Sequence, residues 1–247
     1  MPDVPIRLPQ GYRLVPYRTI DSTNAEALRL AEENPDGDLW VWTREQTAGK
    51  GRLDRSWQSL EGNLFASLLL FPACELPAVP QLGFVMGNAI HDAVTELLPP
   101  SCAVKPYLKW PNDLLLETKK AAGILLESRG TAVVVGVGMN TMASPRDTGQ
   151  PAASLADAGV SATPEAALSA IADRFANWRT TWDNGAGFGE IRSAWLDRSL
   201  PAGSRLSVHV GVEKLNGTFA GLDETGALLL QTGEGEQKCI TAGHVFQ

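Results

Sequence analysis

Apolar and polar positions divide the chain into an α+β portion followed by an all-β tail. Tyr12–Ile20 reads as a strand, and Asp21-Ser22-Thr23-Asn24 then offers several helix N-caps. Ala25, Leu28 and Ala31 continue at helical spacing until Pro35-Asp36-Gly37 ends the pattern. Leu39–Glu45 predicts a strand, Thr47–Arg55 a loop rich in glycine and charge, and Asn63–Phe71 another strand. Pro80–Leu98 repeats apolar residues at helical spacing, from Leu82 and Val85 to Val94 and Leu97. A short strand to Trp110, a turn at Pro111-Asn112-Asp113 and a hairpin across Glu117–Lys120 follow. Ala122–Glu127 and Ala132–Met139 are strong strands, and helices are expected from Pro164 to about Asp183 and over Glu190–Arg198. From Pro201-Ala202-Gly203 the character changes. Leu206–Val210, Gly217–Leu222, Ala227–Gln231 and Gln237–Ile240 are short β segments between glycines, as in a small barrel. Two domains are therefore expected, residues 1–200 and 201–247.

Composition narrows the class. The 247 residues are 44% hydrophobic and 20% charged, an ordinary globular balance. The longest apolar runs, such as Leu64–Phe71, fall well short of the ~20 residues of a membrane span. The opening MPDVPIRLPQ has no apolar core of a secretory signal. Three dispersed cysteines, Cys74, Cys102 and Cys239, without CxxC spacing, point to a reducing compartment and against disulfides or zinc. A cytoplasmic, enzyme-sized protein is expected.

The net charge of −7 hides an asymmetry. Residues 43–57 and 105–120 each hold four basic and two acidic side chains, so together they carry +4 and the remainder −11. Such a chain suits a small anion better than a nucleic-acid backbone, which needs a broad cationic face. Within the first segment, Gly49-Lys50-Gly51-Arg52 allows close backbone approach, and its amides could form an anion-binding nest. Lys50, Arg52 and Arg55 add cationic donors for carboxylate and phosphate oxygens. The loop matches neither a Walker motif nor a dinucleotide fingerprint. A solvated loop is the competing reading. Lys109-Trp110-Pro111-Asn112-Asp113 presents an amide and a carboxylate from a rigid turn, or is simply a turn. One of Lys119 and Lys120 faces solvent and the other a site, because neighbouring strand positions point oppositely. Ser22-Thr23-Asn24 is either a cap or a set of neutral donors and acceptors. No Ser-x-x-Lys, Gly-x-Ser-x-Gly or His-x-x-x-His zinc pattern is present, which leaves chemistry by positioning and charge neutralisation, as in nucleotidyl transfer.

Taken together, five segments resemble the catalytic domain of biotin protein ligases, in the family's order. They are Asp21–Asn24, Glu45–Arg52 continuing to Trp57, Lys109–Leu114, Lys120–Glu127 and Gly136–Asn140. The resemblance implies a mixed β-sheet with flanking helices, related to class II aminoacyl-tRNA synthetases and lipoate ligases, followed by a C-terminal β-barrel. It implies that biotin attacks Mg2+-ATP to give biotinyl-adenylate, whose acyl group passes to a lysine of a biotin carboxyl carrier domain of acetyl-CoA carboxylase. It further implies that Ser22, Thr23, Asn24, Gln46 and Gly123 hold biotin, with Lys50, Gly51 and Arg52 closing over carboxylate and phosphates. Lys120 bridges carboxylate and α-phosphate, with Arg52 and Asp113 completing the catalytic set. Arg55, Trp57, Asn112 and Asn140 serve the nucleotide, and Asp113 contacts Mg2+. No DNA partner is expected, since the chain begins almost at the first catalytic strand, and no membrane partner, since its apolar runs are short; a homodimer is left open.

The loop departs from the family's Gly-Arg-Gly-Arg-x-Gly-Arg pattern at Lys50 and Asp54. Lysine lacks the planar fork of arginine, and Asp54 brings negative charge, so looser retention of the adenylate is expected. A lipoate or octanoate ligase and a non-catalytic biotin sensor are the alternatives.

Overall fold

Alternation of side-chain direction along buried strands explains how one sheet serves two helical layers. The structure, a computed structural model, describes residues 5–33, 37–52, 55–146, 149–233 and 235–246; Pro35, Asp36 and Asp54, named above, lie outside them. Strand β1 (Arg13–Ile20) leads into helix α1 (Thr23–Glu33), then β2 (Leu39–Gln46), β3 (Leu64–Leu70) and helix α2 (Gln81–Leu97). Next come β4 (Pro106–Lys109), β5 (Asp113–Leu116), β6 (Lys119–Arg129), β7 (Ala132–Met139), α3 (Pro164–Trp182) and α4 (Phe188–Asp197). The sheet order is β1-β2-β3-β7-β6-β5-β4, with β1 and β2 parallel and every other pair antiparallel.

Every residue of β3 is buried, as its apolar run, interrupted only by Ser67, requires. Leu69 of β3 joins Val41, Val134 and Ala27 beneath α1, while Leu68 and Leu70 join Trp40, Val133 and Val135 in the larger core with α2 and α3. Helix α3 starts where Pro164 follows Thr163, whose hydroxyl accepts from the Ala166 amide at 3.2 Å.

Between β5 and β6 a tight two-residue connection places Glu117 at φ 55°. The register then shifts, pairing Leu114 with Ala122 but Leu115 with Lys120, so Ala121 is the extra residue of a bulge. An odd separation normally sends two strand residues to opposite faces. The bulge instead turns Lys120 and Gly123 into the same cavity.

The tail forms β8 (Arg205–Val210), β9 (Glu213–Leu222), β10 (Leu228–Thr232), β11 (Gln237–Ile240) and β12 (His244–Phe246). They make a second sheet in the order β11-β10-β9-β8-β12, with no ladder between its two edge strands among the described residues. Its inner residues, among them Leu206, Phe219, Leu228 and Val245, belong to the same apolar core as α2 and α4. No helix of the described residues is long and apolar enough to cross a membrane.

Candidate active site

A cavity of about 380 Å³ opens where the N-terminus of α1, the ends of β2 and β7, and the start of β6 converge. That volume suits a small organic ligand. Its neutral end is built on α1. Ser22, Thr23 and Asn24 are buried, and Gln46 Oε1 accepts from the Thr23 amide at 2.8 Å. Asn24 Nδ2 donates to Glu127 Oε2 at 2.7 Å and to Leu125 O at 3.2 Å. Its Oδ1 accepts from Ser67 Oγ at 2.6 Å. A side chain at Gly136 would overlap Asn24 Oδ1, so glycine there lets the amide lie against β7.

The glycine-rich loop crosses the opening. It is a small hairpin rather than an open nest: Gly51 N–H donates to Arg55 O at 2.7 Å and Trp57 N–H to Gly49 O at 2.9 Å. Those two amides are therefore occupied, and Lys50, Arg52 and Arg55 add the charged side chains of the segment. Lys50 and Arg55 are exposed at the mouth. Arg52 reaches inward, donating to Asn112 Oδ1 and Gly243 O, both at 3.1 Å. Burial pulls the Arg52 guanidinium below its ordinary pKa and the Asp113 carboxylate opposes that shift; arginine stays charged. Trp57 lies across the sheet, with the Lys120 ammonium 5.4 Å from its ring centre.

At the charged end Asp113 stands between two lysines. Lys120 Nζ is 2.6 Å from Asp113 Oδ1, and Lys109 Nζ is 3.4 Å from Oδ2. Burial would raise the Asp113 carboxyl, yet Lys120 and Lys109 hold it below the ordinary value, so it stays ionised. Lys109 is itself pulled down by burial, against the pull of Asp113, and donates to Val245 O at 3.1 Å. Two ammonium groups face one carboxylate, and Arg52 adds a further cation. The cavity thus runs from neutral hydrogen-bonding groups to an excess of buried positive charge. It fits a ligand with an uncharged polar head and an anionic end, beside a second anion.

Residues 15–140 match the model of the Biotin/lipoate A/B protein ligase family, and residues 207–246 the Biotin protein ligase C terminal domain. The chain is 40% identical over 238 residues to a biotin–[acetyl-CoA-carboxylase] ligase of Paracoccus denitrificans, covering 92% of this chain and 97% of that one. It is 33% identical over 252 residues to the bifunctional ligase/repressor BirA of Bacillus subtilis, covering 94% of this chain and 73% of the relative. The chain belongs to the biotin/lipoate protein ligase family. Among solved structures, the Aquifex aeolicus biotin protein ligase in complex with biotin and ATP superposes with a TM-score of 0.81 at 29% identity, covering 95% of this chain and 97% of that one.

The fourteen residues that the resemblance assigned to the ligase site all line this one cavity. Several have their polar atoms already engaged. Asn112 accepts from Arg52 and donates to Ile124 O at 2.6 Å. Asn140 Nδ2 donates to Ala153 O at 3.0 Å and Lys120 O at 3.4 Å, while its Oδ1 accepts from Asn63. These two asparagines brace the wall of the cavity. Asp113 suits the expected Mg2+ contact poorly, because both carboxylate oxygens face ammonium groups. No group of three metal-ligating side chains occurs among the described residues. Ser67, Glu127 and Lys109 take structural part in the site without having been assigned there. Ser67 lies inside an apolar run and left no pattern, whereas Lys109 and Glu127 stand within matching motifs.

Proposed function

We propose that the chain activates biotin with ATP and transfers it to a lysine of a biotin carboxyl carrier domain of acetyl-CoA carboxylase. In the first step a biotin carboxylate oxygen bonds to the α-phosphorus of ATP. The α–β phosphoanhydride breaks, and pyrophosphate leaves with the electron pair. In the second, the acceptor amine attacks the acyl carbon, AMP departs, and the amine's proton passes to solvent. Both steps gather negative charge, which the buried cations offset without a histidine base. Lys120 bridges carboxylate and α-phosphate, held in place by Asp113. Arg52 and the exposed Lys50 close over the phosphates with Gly51, and Arg55 and Trp57 face the nucleotide. Ser22, Thr23 and Gln46 receive the ureido ring, with Gly123 leaving room beside Lys120. Mg2+ enters on the phosphates as part of the MgATP substrate. Residues 1–200 form the catalytic unit and residues 201–247 a module packed beneath it. Free Cys74, Cys102 and Cys239 suit the reducing cytoplasm.

The observation that carries this reading is the single cavity joining a neutral polar end to the Lys109–Asp113–Lys120 cluster, within a chain of this family. Purified protein given MgATP with biotin, lipoate or octanoate in parallel is expected to release pyrophosphate with biotin, and mass spectrometry to detect biotinyl-adenylate. Release with lipoate instead replaces the substrate and keeps the mechanism. Silence with all three, from folded protein, overturns the assignment in favour of a sensor.

A further inference from the structure

The neutral end of the cavity contains a chain of hydroxyl and amide groups whose direction of donation is set from Asn24. Ser67 Oγ lies 2.6 Å from Asn24 Oδ1 and 2.7 Å from Thr23 Oγ1. Thr23 Oγ1 in turn lies 3.1 Å from Gln46 Oε1. Asn24 is oriented from behind: its NH2 faces Glu127 Oε2 and Leu125 O, and a carboxylate and a carbonyl only accept. Asn24 Oδ1 therefore cannot be exchanged with the amide nitrogen, and the hydrogen between it and Ser67 must come from serine. Ser67 has one proton, so any hydrogen between Ser67 and Thr23 must come from threonine. Gln46 Oε1 then takes the Thr23 backbone N–H at 2.8 Å, and at 3.1 Å from Thr23 Oγ1 it is the other oxygen toward which the Thr23 proton can turn. The reverse arrangement sets two bare oxygen lone pairs 2.6 Å apart in a buried site, which is costly.

Resting on the biotin reading above, we propose that Ser67, backed by Glu127, is a positioning residue that fixes the polarity of the ligand pocket. Through it, Thr23 offers the cavity an acceptor lone pair rather than a proton, and the pocket selects a ligand head that presents N–H at that point. A cyclic urea has such donors, whereas the head of a lipoyl or fatty acyl chain has none. Neither Ser67 nor Glu127 lines the cavity, so both act through Asn24 and Thr23.

The test measures KM for biotin, KM for ATP and kcat in the pyrophosphate-release assay. Ser67→Ala is expected to raise KM for biotin roughly tenfold, the scale of one buried hydrogen bond, with kcat and KM for ATP nearly unchanged. Ser67→Thr, which keeps the hydroxyl, is expected to behave like the unaltered protein. Glu127→Leu is expected to act in the same direction and more weakly, because Leu125 O still holds Asn24. Glu127 is only partly buried, so this variant tests the chain even if a Ser67 substitution fails to fold. Unchanged biotin KM in both Ser67→Ala and Glu127→Leu overturns the inference, as does an equal loss in all three constants. A biotin-active parent with inert variants defeats this inference alone. A parent active only on lipoate defeats the substrate assignment and this inference with it.

Discussion

Trp57 can lie against β7 only because residue 138 has no side chain. A Cβ at Gly138 would overlap the indole ring, and the ring is also the surface beneath the Lys120 ammonium. Gly138→Ala must therefore displace Trp57 or bend β7. Overpacking of this kind costs about 1–3 kcal/mol, and here it also disturbs the floor of the charged end. We expect a lower melting temperature together with a sharp loss of pyrophosphate release. Gly83 supplies the contrast, since it sits in helix α2 with nothing within 4 Å of an added Cβ. Gly83→Ala should stabilise by up to about 1 kcal/mol and leave activity alone. Equal behaviour of the two alanine variants in thermal melts would sink the argument.

Helix α1 shows what is gained when a short element carries a binding surface. Its first turn supplies Thr23 and Asn24, and its outer face is tied down by charge. Arg29 forms a fork with Asp21 at 2.7 and 3.0 Å and also pairs with Glu26, which accepts from Tyr17 Oη at 2.6 Å. The Glu26 carboxylate pushes the Tyr17 phenol up to about 12, and Arg29 lowers the Asp21 carboxyl from 3.8 to about 2. A carboxyl depressed on folding contributes stability in full above its ordinary value and loses it as pH falls toward the folded value. Arg29→Gln should therefore lower the melting temperature at pH 7 and flatten its fall between about pH 4 and pH 2, where the two proteins converge. Both side chains are about half exposed, so the effect should stay below about 1 kcal/mol. An acid limb of the same slope in the variant counts against it. At this scale the sequence was most readable where periodicity was long. The four helices start and stop within a residue or two of expectation, because their apolar positions recur over several turns. Strand β5 escaped as an element of its own, since Asp113-Leu114-Leu115-Leu116 is buried throughout and does not alternate. Strand β12, three residues long, offers no period at all, and β9 begins four residues early because a tight turn at Gly211 lets polar Glu213 and Lys214 enter the ladder. The site residues were legible as motif members. Their engagements were not, because the bulge at Ala121, the Asn140 bonds and the Ser67 contacts exist only once distant strands are side by side.

Beyond the shared apolar core, the two sheets are joined through the buried cations of the cavity. Arg52 of the loop after β2 and Lys109 at the end of β4 reach to carbonyls of the last segment, Gly243 and Val245, and Trp110 Nε1 donates to Gly226 O at 3.0 Å. The second sheet therefore supplies acceptors for cations whose other partners are Asn112 and Asp113. Removing either member of a buried pair is costly in proportion to the charge left without a partner. Asp113→Asn leaves two ammonium groups facing each other in a buried site, and should cost about 3–5 kcal/mol. Lys109→Met removes one cation while Asp113 keeps Lys120, and the methionine stem refills most of the space, so its cost should be nearer 2 kcal/mol, largely the lost bond to Val245 O. The double variant should then be more stable than Asp113→Asn alone, because it relieves the repulsion that the single substitution creates. Urea unfolding followed by tryptophan fluorescence measures all three, and the shared core predicts one transition for both sheets. If Lys109→Met proves the more damaging single change, the cluster is held by its link to the second sheet and not by charge balance around Asp113.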